Sequence, residues 1–178
     1  DPGKSFEAAQ SLAHQLVSPG LRGVLVLSDG LGVNGSELIR GLNTVLPANV
    51  VVSGGLAGDG DRFKRKWVLK DGLPAGGYVT AVGLCGTAVR LTDGSKGGWD
   101  LFGPERLSTR SQGNVLYELN HKPALPLYKD YLGELASRLP GTALHFPLSI
   151  RQKQDDAKRL VRTILGIDHP LSVYTGTV

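Results

Sequence analysis

Two short apolar runs, each closed by a glycine-rich turn, constrain the fold of this chain more than any other feature. The first is Val24-Leu25-Val26-Leu27-Ser28-Asp29-Gly30-Leu31-Gly32-Val33-Asn34-Gly35. The second is Val50-Val51-Val52-Ser53-Gly54-Gly55-Leu56-Ala57-Gly58-Asp59. Between them, Leu38, Ile39, Leu42, Val45 and Leu46 recur at helical spacing. Asn34 or Ser36 can cap that helix and Pro47 ends it. The stretch therefore reads as a β-α-β unit with both glycine loops at the carboxyl ends of strands. In open α/β sheets that edge is where ligands bind.

The flanking segments extend this reading. Residues 5–17 carry an apolar helical face stopped near Pro19-Gly20. Beyond residue 60 the pattern changes to period two: Lys66–Lys70 and Tyr78–Cys85 read as strands, with an Asp71-Gly72 turn between them. Gly86 reads as a turn or bulge before a strand at Ala88–Thr92, and 93–98 as a loop. Arg106–Gln112 and Asn114–Leu119 read as further strands. Pro123 to Arg138 reads as a helix and Leu144–Ile150 as a strand. Residues 159–167 read as a strand that turns at Asp168-His169-Pro170 into a hairpin with Leu171–Val178. With 25 glycines and only 6% aromatic residues, the chain is expected to be α/β (α+β), a mixed sheet with packed helices. A boundary near 120–123 divides it into modules at 1–121 and 122–178.

Several classes are excluded. Cys85 is the single cysteine, so no disulfide framework forms within the chain, consistent with a reducing, cytoplasmic setting. No run approaches the ~18 apolar residues of a membrane span, and no signal peptide is visible. The net charge of +4 is mild. Its densest cluster, Arg62-Phe63-Lys64-Arg65-Lys66-Trp67 with Lys70, reads as a solvated edge strand protected by lysines rather than as a nucleic-acid surface. The chain begins at Asp1, lacks methionine and stops at Tyr174-Thr175-Gly176-Thr177-Val178 inside what reads as a strand, so the natural protein is expected to continue beyond it.

Gly30, Gly32 and Gly35 spell G-x-G-x-x-G, but the context argues against a dinucleotide. That fingerprint needs an acidic residue at the tip of the second strand, to hold the ribose. Val52 is followed by Ser53-Gly54-Gly55 instead, and Asp29 would face a diphosphate with like charge. No Gly-Lys-Ser/Thr follows, which excludes a Walker loop. Two readings of the loops then stand side by side. In one, backbone amides bind a carboxylate while Asp29 or Asp59 accepts an ammonium, with Asn34 and Ser53 nearby, a pocket for a small zwitterion. In the other, the glycines serve turns and the aspartates serve Asx-turns and caps.

The ordered motifs resemble the FIST domain family, named for F-box and intracellular signal transduction proteins. Leu27-Ser28-Asp29-Gly30, Gly35 with its helix, and Val52-Ser53-Gly54-Gly55-Leu56-Ala57-Gly58-Asp59 are similar to the family's N-terminal half. Gly113-Asn114-Val115-Leu116-Tyr117-Glu118-Leu119, then Pro123-Ala124-Leu125 and Tyr128, resembles the junction into the C-terminal half. Leu160 to Asp168 is similar to a segment inside that half. The resemblance implies two FIST modules, both incomplete, in a bacterial sensory protein. Its ligands would be amino acids or similar small molecules, which the reading of the loops themselves places at Asp29, Gly30, Asn34, Gly35, Ser53, Gly54, Gly55, Gly58 and Asp59. It implies output to a histidine kinase, a chemotaxis receptor or a cyclic-dinucleotide enzyme. Some family members resemble haem-based nitric oxide sensors, and eukaryotic ones follow an F-box.

Catalytic and metal signals are weak by comparison. His14, His121, His145 and His169 share no ligand spacing, and His121 and His145 are the candidates for a haem. Cys85 reads as a small buried hydrophobe. Ser28 and Ser53 have no identifiable His-Asp partners, so no catalytic residue is assigned. Asp29 and Asp59 leave an enzyme acting on a small polar substrate as the alternative at the same crevice. A scaffold using residues 62–70 is a third reading. Trp99 and Phe102 lie in an aromatic loop, read as a packed connector rather than a lid.

Overall fold

In the computed structural model, residues 2–94, 97–157, 159–169 and 172–175 are described. They fall into two compact units, residues 1–95 and 96–178.

The first unit starts with a 3-10 turn at Pro2–Lys4 and α1, Ser5–Leu16. Strand β1 follows at Leu21–Asp29, α2 at Gly35–Val45 and β2 at Val51–Ala57. Strands β1 and β2 pair in parallel, from Gly23 opposite Val51 to Asp29 opposite Ala57, completing the expected β-α-β unit. Asn34 caps α2 by accepting the Glu37 amide at 3.2 Å. Three short strands follow: β3 at Val68–Lys70, β4 at Leu73–Ala75 and β5 at Val79–Cys85. Strand β5 pairs antiparallel with β1, giving a mixed sheet of order β2-β1-β5.

Alternation along β1 decides what is covered. Val24 and Val26 point to the helices and join Ala9, Ala13, Leu38, Leu42 and Leu46 in a core. The helices lie close because Gly41 has no side chain: a Cβ there would stand 2.4 Å from the Phe6 carbonyl. Leu25 and Leu27 point the other way and stay nearly half exposed, opposite Val82 and Thr80 of β5.

The second unit contains β6 at Ser108–Gln112, β7 at Val115–Leu119, β8 at Lys122–Pro123 and α3 at Ala124–Leu132. After α3 come 3-10 turns at Gly133–Arg138 and Gly141–Leu144, then β9 at Leu148–Ile150 and β10 at Leu160–Arg162. The last strands are β11 at Ile164–His169 and β12 at Ser172–Thr175. Antiparallel pairing gives the order β11-β12-β7-β6 with β8 beside β7, while β9 and β10 form a separate ribbon. Leu125, Tyr128, Leu132, Ala143, Ile164 and Val173 make this unit's core. Tyr128 donates to the Phe146 carbonyl at 2.8 Å, and burial pushes its phenol pKa up to about 12.

The structure bears out the mixed α/β class and corrects several local readings. The second glycine run is not a loop: Ser53-Gly54-Gly55-Leu56-Ala57 continues β2. The Asp71-Gly72 turn pairs β3 with β4 rather than with Tyr78–Cys85; both residues have positive φ, as a two-residue hairpin turn requires. Ala88–Thr92 is not a strand, although Leu91 lies against Gly23. The helix expected through Arg138 stops at Gly133, whose φ is +56°. Cys85 is exposed, because β5 ends at a sheet edge there, with its sulfur 3.3 Å from the Ser18 hydroxyl. The aromatic loop is not packed: Phe102 is 81% exposed and meets Tyr131 edge-on. Residues 170, 171 and 176–178 of the expected terminal hairpin, and 95–96 of the expected loop, lie outside the described residues.

Candidate functional site

At the carboxyl end of β1 the chain must turn from strand to helix over Gly30–Asn34, and Asp29 organises that turn. Its Oδ1 accepts the amides of Leu31 at 2.7 Å and Gly32 at 3.0 Å, and its Oδ2 accepts the Gly77 amide at 2.8 Å. Asp29 is 8% exposed. Burial alone would raise its pKa. Three amide donors and the Lys66 charge outweigh that and hold it below the ordinary carboxylate range.

Asp59 plays the corresponding part just beyond β2. Its Oδ2 accepts the amides of Lys64 and Arg65, both at 2.9 Å, and its Oδ1 takes the Lys66 ammonium at 2.5 Å. Both side chains of this ion pair are 5% accessible. The Lys66 hydrogen bond, followed by the Arg65 amide, holds Asp59 well below the ordinary range. Lys66 also stands over the Phe63 ring at 5.3 Å. The reading of residues 62–70 as a solvated edge is therefore corrected at Lys66, which is buried because Asp59 needs a counter-charge.

Asp29, accepting amides two and three residues on, forms the expected Asx-turn; Asp59, accepting amides five and six residues on, closes a larger loop instead, and Lys66 links their surroundings. Gly30 is packed, since a Cβ would stand 2.6 Å from the Ala57 carbonyl. Asn34 and Gly35 belong to the start of α2, where the Asn34 amide donates to Ser5 Oγ at 2.9 Å. Ser53 and Gly55 lie on the uncovered face of the sheet, opposite Leu25 and Leu27. Gly54 cannot carry a side chain: its Cβ would fall 1.7 Å from the Val26 carbonyl oxygen. Gly58 has open space around it. Ser28 is fully buried, and its hydroxyl has no hydrogen-bond partner among the described residues.

The concavity beside these residues was not foreseen in full. A groove of about 420 Å3 opens at the carboxyl ends of β1 and β2. Leu27, Gly55, Leu56 and Ala57 form its strand side. Trp67, Val68, Leu69 and Pro74, from the β3-β4 hairpin, form the other. The Thr80 hydroxyl holds the hairpin in place by donating to the Leu69 carbonyl at 2.6 Å. Of the expected site residues only Gly55 lines this groove. Leu27 and Trp67 could have been suspected, since alternation along β1 points Leu27 away from the helices and Trp67 adjoins a hairpin signature.

The groove is apolar, and none of its lining residues is His, Cys, Met or Tyr. It offers no axial donor and does not fit a haem. His121 and His145 are exposed residues of the second unit, and the His121 amide is held by Thr109 Oγ1 at 2.9 Å. Among the described residues no cluster of three or more His, Cys, Asp or Glu could hold a metal ion, and no helix is long and apolar enough to cross a membrane.

Comparison with known proteins returned one family. The model of the FIST N domain matches residues 1–122, which contain the whole first unit and its groove. No curated protein and no solved structure matches the chain. The match spans well over half of the sequence and agrees with the motif order from Leu27 to Asp59, so the chain belongs to the FIST family, whose domains generally act as sensors in signal-transduction proteins.

Proposed function

We propose that this chain is the ligand-sensing part of a cytoplasmic signal-transduction protein, taking a small molecule at the carboxyl edge of the β2-β1-β5 sheet. The observation that carries the reading is the groove of about 420 Å3 at that edge, lying inside the segment matched by the family model. Small-ligand sites are concave, mostly apolar and of roughly 300–1,000 Å3. Amino acids and similar small carboxylates are the proposed class, those with apolar side chains foremost. Asp29 and Asp59 support the site by fixing its loops rather than by holding the ligand. Occupancy would be read out by a partner such as a histidine kinase, a chemotaxis receptor or a cyclic-dinucleotide enzyme.

A thermal-shift screen of the full chain against the amino acids and small carboxylates tests this. A true ligand at a hundred times its Kd stabilises the folded state by about 2.7 kcal/mol, enough to raise the midpoint by several degrees. A flat result across the whole set would remove the sensing assignment.

A further inference from the structure

We infer that the groove recognises an amphiphilic carboxylate, a molecule with an apolar body and an anionic head, and that it does not read an ammonium group. This rests on the sensing reading and specifies its ligand.

The apolar body follows from the walls. Leu27 and Leu69 are 48% and 60% exposed, and Trp67, 54% exposed, presents an indole surface on the hairpin side. A folded chain leaves such a cluster open to water at a cost, and a bound apolar group removes it. Gly55 keeps the space between the walls. A Cβ built there meets nothing within 4 Å, in contrast to Gly54 next to it, and its φ is outside the positive region that demands glycine. Neither packing nor backbone conformation calls for a glycine at residue 55. The open groove does.

The anionic head follows from charge complementarity. From Asp59 to Lys70 the chain carries five basic residues against two acids. Lys66 is committed to Asp59, while Lys64, Arg65 and Lys70 are exposed. The amides of Lys64 and Arg65 dock on Asp59, two residues beyond the wall residue Ala57, and Arg65 precedes the wall residue Trp67 by two, so the backbone that carries both cations adjoins the groove walls. An ammonium would meet in this segment one exposed carboxylate, Asp61, against the exposed cations Arg62, Lys64, Arg65 and Lys70. The Asp59 carboxylate is neutralised by Lys66, and the Asp29 carboxylate accepts three backbone amides. An amphiphilic carboxylate therefore meets the groove at both ends, and an amino acid adds a charge that the site leaves unused.

Three compounds with one phenylpropyl body separate the possibilities: 3-phenylpropanoate, L-phenylalanine and 3-phenylpropylammonium. Each is titrated calorimetrically into the full chain. A Trp99→Phe background makes Trp67 the sole indole and reports the location by fluorescence. The expected result is binding of 3-phenylpropanoate at least tenfold tighter than the ammonium and no weaker than L-phenylalanine, with a change in Trp67 emission. Gly55→Leu should weaken it at least tenfold without lowering the unfolding midpoint. Leu69→Gln, at an exposed position, provides the same test should Gly55→Leu fail to fold. Lys64→Glu combined with Arg65→Glu should abolish the preference for the anion.

Tenfold tighter binding of L-phenylalanine than of 3-phenylpropanoate would overturn the inference and leave the sensing reading standing. Equal binding of all three compounds, or indifference to both groove variants, would overturn it as well. Binding of none of them, together with a flat amino-acid screen, would remove both readings. Dimerisation of the parent chain that Gly55→Leu abolishes would assign the groove to a second copy instead.

Discussion

The β2-β1-β5 sheet has two faces of similar apolar character and opposite fates. On one, Val24 and Val26 lie under α1 and α2 and are at most 4% exposed. On the other, Leu25, Leu27 and Val82 remain about half exposed, with Leu91 near one end and the β3-β4 hairpin at the other. The difference separates residues that hold the fold from residues that leave a surface available, and two adjacent exposed glycines of β2 differ as sharply in the room around them.

The strongest way to break the comparison is to place a methyl group at the seam where β2 approaches the β1 backbone. Gly54→Ala brings a Cβ to 1.7 Å from the Val26 carbonyl oxygen, backbone that cannot swing aside. We expect a loss of more than about 3 kcal/mol, the upper range of overpacking, seen in denaturant titration as a lowered unfolding midpoint. Retention of parental stability would mean that β1 and β2 approach less closely than described.

A paired truncation sharpens the same contrast. Leu42 is fully buried between the helices and the sheet, so Leu42→Ala should cost about 3 kcal/mol in transfer and cavity energy. Leu27→Ala removes a side chain that water already reaches, and should cost under about 1 kcal/mol. Similar losses at the two sites would show that the open face is covered in solution.

These contrasts also explain how far the sequence could be read. The β-α-β unit was legible because Leu38, Ile39, Leu42, Val45 and Leu46 keep one helical stripe and Asn34 supplies the cap. The continuation of β2 through Ser53-Gly54-Gly55 was not. Glycine pairs ordinarily signal turns, and Gly54 is needed here for a close approach to β1 that no local pattern encodes. The burial of Lys66 was equally hidden, since it depends on Asp59 seven residues earlier folding back onto the Lys64 and Arg65 amides. The positions of Asp29 and Asp59 were legible, but not that their carboxylates accept backbone amides of the segments after β1 and β2.

That use of the aspartates predicts an acid response of the first unit, beside the one that Glu105, held down by Arg151, contributes in the second. Both carboxyls have folded pKa values below the ordinary 3.8, so each stabilises the first unit above that value, and the contribution is lost as pH falls through the lower folded one. Thermal midpoints taken from pH 7 to pH 2 should hold down to about pH 4 and then drop. Asp59→Asn should lower the plateau and flatten part of the drop. A parallel decline in parent and variant would assign the acid sensitivity to other groups.

The smallest expected effect is the most informative about the groove. Gly55 neighbours Gly54 on the same strand, yet a Cβ at residue 55 meets nothing within 4 Å. Gly55→Ala should leave stability within about 0.5 kcal/mol of the parent, or raise it slightly by narrowing the unfolded ensemble. Glycine at a position where alanine costs nothing needs a reason other than folding, and the space it preserves between Leu27 and the hairpin supplies one. A marked loss of stability on Gly55→Ala would show that Gly55, like Gly54, is required by packing, and the groove would then be a consequence of packing rather than a site.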